Sequence, residues 1–341
     1  MIQLKPILSA VIVSYDTREM TIQCVDTFCR TLGDVSAEVL VVDNASTDGT
    51  VAAIRAGFPE VQVFAQPSNI GFGAANNVAL QTAQGEFFLL LNSDAFPEPD
   101  AVQRLIDYLR RHPKAGVVGP RLLNRDGSLQ PSCYRFPSPG RAWLENLWIA
   151  SLLPPGSPWG DFRRWGHDEE RDVDWVSGAC FLIRREAYAA VGGFDERFFM
   201  YQEETDWQRR LRDCGWRVGF TPAARVMHIG GASGAADQAR INRHFFESLD
   251  RYERKHHGLA GLVSVRLAMI VGCFLRTLLW TMVLLVPKRR KRARSKAKLS
   301  ARLFVRQATH WRADFKQTGF KQADVKQADV KQTDSEGNTS R

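Results

Sequence analysis

Glu38-Val-Leu-Val-Val-Asp-Asn-Ala-Ser-Thr-Asp-Gly-Thr50 is the stretch that decides the fold. A short run that is apolar at nearly every position stops at Asp43, passes through a burst of polar residues and opens a helical pattern at Thr50. Continuous apolar runs of strand length belong to sheets covered on both faces. Working outward, strand-like runs at 7–14, 37–42, 61–65 and 87–91 alternate with helical patterns at 17–32, 50–56 and 73–83. This βαβαβαβ order predicts an α/β fold with a mostly parallel central sheet and helices on both faces, continued by a helix at 99–111 and a strand at 115–119. Ligands of such sheets bind beyond the carboxyl ends of the strands, here Ser14-Tyr15, Asp43-Asn44 and Asn92-Ser93-Asp94.

From 120 to 172 the pattern gives way to Gly-, Pro- and Trp-rich text, which reads as a long ordered insertion shaping a cleft. Regular patterning returns at 173–183, in a helix at 203–214, in strands at 217–221 and 224–228, and in a helix at 237–256. A first domain is therefore expected over 1–257, in halves 1–119 and 120–257. An apolar segment follows at 258–287, then a polybasic cluster and tail at 288–341. In the tail a five-residue repeat begins at Phe315, Phe320, Val325 and Val330. One apolar residue in five fits neither a helix stripe nor a strand, so disorder is expected there.

The formal net charge is +9, but eight cations crowd into 288–298, which leaves the rest of the chain close to neutral. A nucleic-acid surface spread over the fold is not expected, and the cluster lacks interleaved aromatics. Six scattered cysteines without a Cys-x-x-Cys pair read as buried thiols of a reducing compartment. The first apolar run has no cleavage pattern after it, so it reads as a strand and not as a signal peptide.

Candidate chemistry gathers at strand ends. Asp43 can accept hydrogen bonds from a base N–H, or simply cap the following turn. Asn69-Ile-Gly-Phe-Gly-Ala-Ala-Asn-Asn77 opens a helix, so its glycines would let backbone N–H groups approach a phosphate, or make a tight turn alone. Phe87-Phe-Leu-Leu-Leu-Asn-Ser-Asp94 carries an acid to the ligand edge. A hard divalent cation bound mainly by phosphates needs only one or two protein carboxylates, and a helix N-cap is the alternative role for Asp94. Glu203, Glu204 and Asp206 open a helix, as the macrodipole alone favours. The preceding Phe198-Phe-Met-Tyr201 would bury one of these acids, raise its pKa and suit it to general-base work. His228 ends a strand and reads as structural, or as a metal ligand through its neutral imidazole.

Taken in order, seven motifs resemble glycosyltransferase family 2, closest to its bacterial rhamnosyltransferase-like branch. They are Val11-Ile-Val-Ser-Tyr15, Val41-Val-Asp-Asn-Ala-Ser-Thr-Asp-Gly49, Asn69-Ile-Gly-Phe-Gly73, Leu91-Asn-Ser-Asp94, Val176-Ser-Gly-Ala179, Gly193-Phe-Asp195 and Glu203-Glu-Thr-Asp206. The resemblance runs from about Ile7 to Gly231 and implies the GT-A nucleotide-diphospho-sugar transferase fold with inverting, metal-dependent hexosyl transfer. It implies that Ser14, Tyr15 and Asp43 hold the donor's base and ribose, and that Asn69, Gly71 and Asn77 line the donor site. Asp94 takes the last position of the family's Asp-x-Asp metal motif and would bind Mg2+ or Mn2+ with His228. The chain departs from that motif at Asn92. Glu204 stands where the family's base stands, with Asp206 a competitor, because the usual Glu-Asp reads Glu203-Glu204. Trp175, Gly178 and Glu203 are the expected acceptor contacts.

The resemblance favours dTDP-L-rhamnose as donor, with a UDP-hexose or galactofuranose donor as the alternative, and a glycan or polyprenyl-linked glycan as acceptor. A catalytically inactive, membrane-bound nucleotide-sugar-binding scaffold is the reading from another class. Residues 259–286 are long enough to cross a bilayer, yet Arg266 and Arg276 would each cost ~2.5–3.5 kcal/mol at a helix centre. A domain using cytoplasmic nucleotide sugars and a basic cluster kept on that same side cannot both be served by one crossing. The expectation is an interfacial helix or shallow re-entrant hairpin, peripheral or monotopic on the cytoplasmic face of the inner membrane. The basic cluster would add about 1 kcal/mol per charge near anionic lipid. A helix packed on the first domain, or a homodimer interface, is the alternative for the apolar segment.

Overall fold

A computed structural model describes residues 5–154, 157, 159–230, 238–285 and 290–309 of the chain. β1 (Leu8–Ser14), α1 (Arg18–Thr31), β2 (Ala37–Asp43), α2 (Thr50–Gly57), β3 (Gln62–Ala65), α3 (Phe72–Leu80) and β4 (Phe87–Asn92) follow the alternation read from the sequence. Next come β5 (Ala95–Pro97), α4 (Ala101–Arg111) and β6 (Ala115–Leu123). The insertion holds β7 (Leu129–Gln130), β8 (Cys133–Tyr134), α5 (Pro139–Asn146) and β9 (Arg171–Val173). β10 (Trp175–Val176), β11 (Cys180–Arg184), α6 (Arg185–Val191), α7 (Glu203–Asp213) and β12 (Arg217–His228) complete the sheet region, and α8 (Gln238–Val283) and α9 (Arg290–Thr309) follow.

The main sheet is ordered β3-β2-β1-β4-β11-β6-β12-β5. β1 lies parallel to β2 on one side and to β4 on the other, with Ser14 opposite Asp43 and Val13 opposite Asn92. The connections part there, and a crevice opens at the carboxyl ends of β1 and β4, the usual ligand position in doubly wound sheets. β11 is an exception to the parallel pattern: it runs antiparallel to β4 and β6. Its start therefore lies beside the end of β4, where the Asn92 N–H donates to the Ala179 carbonyl at 2.9 Å. The two strands expected at 217–221 and 224–228 are one strand, β12, with an irregular register between Thr221 and Arg225. Pro222, which has no N–H to give the ladder, sits in that irregularity.

Alternation along β1 sends Leu8, Ala10 and Ile12 to one face, where they pack with Val25 and Phe28 of α1, Ile54 of α2 and Leu105 of α4. Val11 faces the other way, with Leu40 and Val42, towards Ala75 and Ala79 of α3 and Trp207 and Leu211 of α7. Helices thus cover both faces, as the apolar strands require.

The chain divides into two compact units, one of Met1–Arg141 with Trp148–Leu262, the other of Ala142–Leu147 with Val263–Arg341. The first contains the sheet. α8 continues past its expected end near 256, broken at Gly258, whose φ of 68° is a left-handed value that glycine adopts freely. In the second unit the end of α8 and α9 form an antiparallel hairpin. Phe274 faces Phe304 at 6.2 Å, and the Lys296 ammonium lies 4.7 Å from the Trp280 ring centroid. Arg276 donates to Asn146 at 3.1 Å, and Arg266 is buried. Gly231, Lys288, Arg289 and the repeat from Phe315 lie outside the described residues.

Candidate active site

A cavity of about 310 Å3 occupies the crevice at the ends of β1 and β4. Tyr15, Asn44, Asn69 and Gly71 line one side, Asn92, Ser93, Asp94 and His228 its floor, and Gly178, Glu203, Glu204, Tyr201 and Ile241 the opposite side.

On the first side Asn44 organises the loop before α3. Its amide donates to Asn69 Oδ1 at 2.9 Å and to the Gly71 carbonyl at 3.3 Å, while its own oxygen accepts from the Ile70 N–H at 2.9 Å. Gly71 has φ +88°, and a Cβ there would stand 2.4 Å from the Phe199 carbonyl oxygen. That close approach lets the Phe72 N–H bond the same oxygen at 2.9 Å. Asn44 was not singled out from the sequence, although it follows Asp43 directly at a strand end.

Three expected donor residues stand behind this wall and not on the cavity. Ser14 is fully buried, its hydroxyl within hydrogen-bonding range of Thr17 and Thr21. Asp43 is buried, one oxygen accepting from the Ser46 N–H at 2.9 Å and the other without a partner among the described residues. Asn77 clamps the Phe194 backbone, donating to its carbonyl at 2.9 Å and accepting from its N–H at 2.8 Å, so it braces α3 against the 193–196 segment.

On the floor, His228 Nε2 lies 3.2 Å from Asp94 Oδ1. Gln130 donates its amide to Asn124 at 3.0 Å and to the His228 carbonyl at 3.3 Å, which turns its oxygen towards His228 Nδ1 at 2.7 Å. Nδ1 therefore carries the proton. Nε2 either shares a second proton with Asp94 or offers its lone pair beside the carboxylate to a cation. Burial pushes the Asp94 carboxyl up, but the His228 hydrogen bond and charge, with the Gly230 N–H at 3.0 Å, leave it below the ordinary carboxylate value. The buried Asn92 oxygen has no partner among the described residues, and its amide is 3.5 Å from His228. No group of three or more His, Cys, Asp or Glu side chains gathers among the described residues. This donor set fits a hard divalent cation that takes its remaining oxygens from phosphate.

Opposite, Tyr201 and Gln202 both adopt left-handed φ, 67° and 66°, immediately before α7. Non-glycine residues held there cost about 1–3 kcal/mol each and persist only where their surroundings fix them. α8 supplies part of that fixing: the Ser248 hydroxyl donates to the Met200 carbonyl at 2.8 Å, and Phe245 meets the Tyr201 ring edge-on at 5.9 Å. The turn brings both Glu203 and Glu204 to the cavity, each with one buried oxygen lacking a partner among the described residues. Burial raises both carboxyls above the ordinary glutamate value, and the Glu204 charge pushes Glu203 further. A Cβ on Gly178 would stand 3.4 Å from Glu204 Oε1, so this glycine leaves the carboxylate open to the cleft.

Asp206 is separated from its two neighbours. It is fully buried off the cavity and paired with Arg210 at 3.0 Å, Lys255 at 2.7 Å and His256 at 2.8 Å. Burial alone would raise its carboxyl, but His256 and Lys255 hold it below the ordinary value. Trp175 also stands off the cavity, stacked on Tyr134 at 4.4 Å with its N–H given to the Arg135 carbonyl at 2.9 Å.

A doubly wound sheet with its cavity at the switch point and an inserted second half is the GT-A architecture of nucleotide-sugar transferases. A solved structure of a mannosyltransferase, PcManGT from Pyrobaculum calidifontis in complex with GDP-Man and Mn2+, has the same fold. Its TM-score is 0.54 at 18% identity, over 90% of this chain and 87% of that one. Residues 9–192 match the model of glycosyl transferase family 2, and the chain belongs to that family. It is 37% identical over 216 residues to the N-acetylglucosaminyl-diphospho-decaprenol L-rhamnosyltransferase of Mycobacterium tuberculosis, covering 59% of this chain and 69% of the relative. It is 27% identical over 195 residues to rhamnosyltransferase WbbL of Escherichia coli, covering 54% and 67%. The protein is a rhamnosyltransferase-like glycosyltransferase.

Proposed function

We propose that this protein is an inverting, metal-dependent rhamnosyltransferase that moves L-rhamnose from dTDP-L-rhamnose to a hydroxyl of a lipid-linked glycan at the membrane surface. The observation that carries the reading is the convergence on one cavity of the Asp94–His228 pair and, across from it, Glu204. Likeness to two rhamnosyltransferases, one of them named for a decaprenol-linked acceptor, supports the choice of donor and acceptor class.

Tyr15, Asn44 and the Asn69–Gly71 loop hold the nucleotide, and Asp43 stands behind them, fixing the turn after β2 through the Ser46 N–H. Glu204 takes the proton of the acceptor hydroxyl, a contribution of roughly 10²–10⁴ in rate for a positioned base. The hydroxyl oxygen bonds to the anomeric carbon on the face opposite the diphosphate, the bond to the leaving oxygen breaks with its electron pair, and the configuration inverts. When bound by Asp94 and His228, Mg2+ or Mn2+ neutralises charge on the departing nucleoside diphosphate. Glu203 and Gly178 shape the acceptor side, backed by the Trp175–Tyr134 stack.

The second unit serves as a monotopic anchor on the cytoplasmic face. One face of α8 exposes Leu267, Phe274, Leu278 and Met282, while Arg276 is turned to Asn146 and Arg266 is buried. α8 is long and apolar enough to cross a bilayer, but the cation-rich α9 folded back along it favours docking on anionic lipid over insertion.

The test is a donor panel with the purified full chain: dTDP-L-rhamnose, UDP-hexoses, UDP-galactofuranose and GDP-mannose, with Mn2+ or EDTA, following released nucleoside diphosphate. Only dTDP-L-rhamnose should be consumed, and EDTA should stop it. Consumption of a UDP sugar instead changes the donor; consumption of none leaves the inactive scaffold.

A further inference from the structure

The insertion carries a feature that the sugar-transfer site does not use. Within a dozen residues it exposes three large apolar side chains, Ile149 (40%), Leu152 (82%) and Trp159 (67%). Its described residues are tied to one another. The Ser157 N–H donates to the Pro154 carbonyl at 3.2 Å and the Gly160 N–H to the Ser157 carbonyl at 3.0 Å. A Cβ on Gly160 would stand 2.1 Å from the Pro154 oxygen, so the two ends of the loop close directly on each other. Arginines hold it from below: Arg164 donates to the carbonyls of Ser151 and Leu153, Arg135 to that of Ser157, and Arg141 to that of Gly160.

The geometry points to this loop as a second membrane contact, on the catalytic unit itself, seating Leu152 and Trp159 at the headgroup boundary of an anionic bilayer. Indole and leucine side chains carried on a loop suit that boundary, with an apolar body for the acyl region and an indole N–H for the headgroups. The charge is complementary as well, since Arg164 is exposed and donates to carbonyls, with no carboxylate partner among the described residues. Continuity gives a third reason: the loop begins one residue after Leu147, which belongs to the unit containing the α8–α9 hairpin. The inference extends the membrane reading to the catalytic unit and is independent of which sugar is transferred.

The test uses the full chain and vesicles of phosphatidylcholine with and without phosphatidylglycerol, comparing wild type, L152S/W159S and the hairpin variant F274S/L278S by co-sedimentation. The loop variant should partition about tenfold less onto anionic vesicles, while hydrolysis of the nucleotide sugar stays within twofold of wild type. Bromine-labelled lipid should quench indole fluorescence, and Trp159→Phe should remove part of that quenching. Unchanged partitioning and quenching in the loop variants overturns the inference even if F274S/L278S loses binding, a result that leaves the hairpin anchor standing. Normal vesicle binding with a raised KM for long-chain lipid acceptors alone overturns it in favour of the acceptor's tail. A change in oligomeric mass without a change in vesicle binding overturns it in favour of a contact between copies.

Discussion

The two sides of the cavity are built on opposite principles. On the nucleotide side almost every polar group has its partner: Asn44 uses both ends of its amide, Asn69 accepts twice, and Ser14 sits in a cluster of hydroxyls. On the catalytic side Glu203 and Glu204 each keep a buried oxygen without a partner, Gln202 does the same, and two successive residues hold left-handed backbone. A surface that recognises a fixed ligand gains from being satisfied beforehand. A surface that must move a proton keeps groups whose desolvation only the reacting molecules relieve.

The sharpest way to break this contrast is Glu204→Gln. It should lower kcat about 10³-fold, within the usual worth of a positioned base, and leave donor affinity within a few-fold. In wild type, activity should fall as pH drops through the pKa of Glu204, above the ordinary glutamate value because burial disfavours its charge. Near-normal turnover by the variant removes Glu204 as the base. On the floor of the cavity, Asp94→Asn should abolish the Mn2+-dependent part of donor binding in calorimetry. Gln130→Ala, which releases His228 Nδ1 along with the bonds to Asn124 and the His228 carbonyl, should weaken Mn2+ dependence by about 10–100-fold. Equal effects of both variants on metal-free binding would place these residues in the fold alone.

Asp206 tests the same contrast within a single helix turn. Asp206→Ala strands Lys255 and His256 and should cost about 3 kcal/mol of stability in urea melts, without moving the pH profile of kcat. A shifted profile would return Asp206 to the chemistry. The smallest effect is expected at Glu253, which burial, with Asp250, pushes up to about 7. A carboxyl raised on folding contributes stability below the unfolded value near 4.5 and loses it as pH rises towards 7. Glu253→Gln should therefore raise Tm at pH 8 and change it little at pH 5; equal shifts at both would mean the group does not titrate as described.

Much of this architecture was legible because its signals are local. Strands 8–14, 37–43 and 87–92 are apolar at nearly every position, and Asp94, His228 and Glu204 stand where such runs end or a helix begins. The direction of β11 was not legible, since Cys180-Phe-Leu-Ile-Arg184 reads the same for a parallel or an antiparallel neighbour. Nor was the choice between Glu204 and Asp206. Two residues apart on a helix, they face nearly opposite ways. Which way is inward depends on the turn at Tyr201–Gln202, and no glycine marks it. Asn44 and Gln130 were missed because side-chain amides acquire their roles from partners distant in sequence.

The antiparallel strand also bears on how the molecule comes into being. Synthesis from the N-terminus delivers β1 to β4 first, but the loop before α3 must wait for Phe199, which Phe72 bonds, and α3 for Phe194, which Asn77 clamps. β11 sets Leu182 against Leu89 only after α4, β6 and the whole insertion have emerged. Both walls of the cavity are thus closed only after the insertion has emerged.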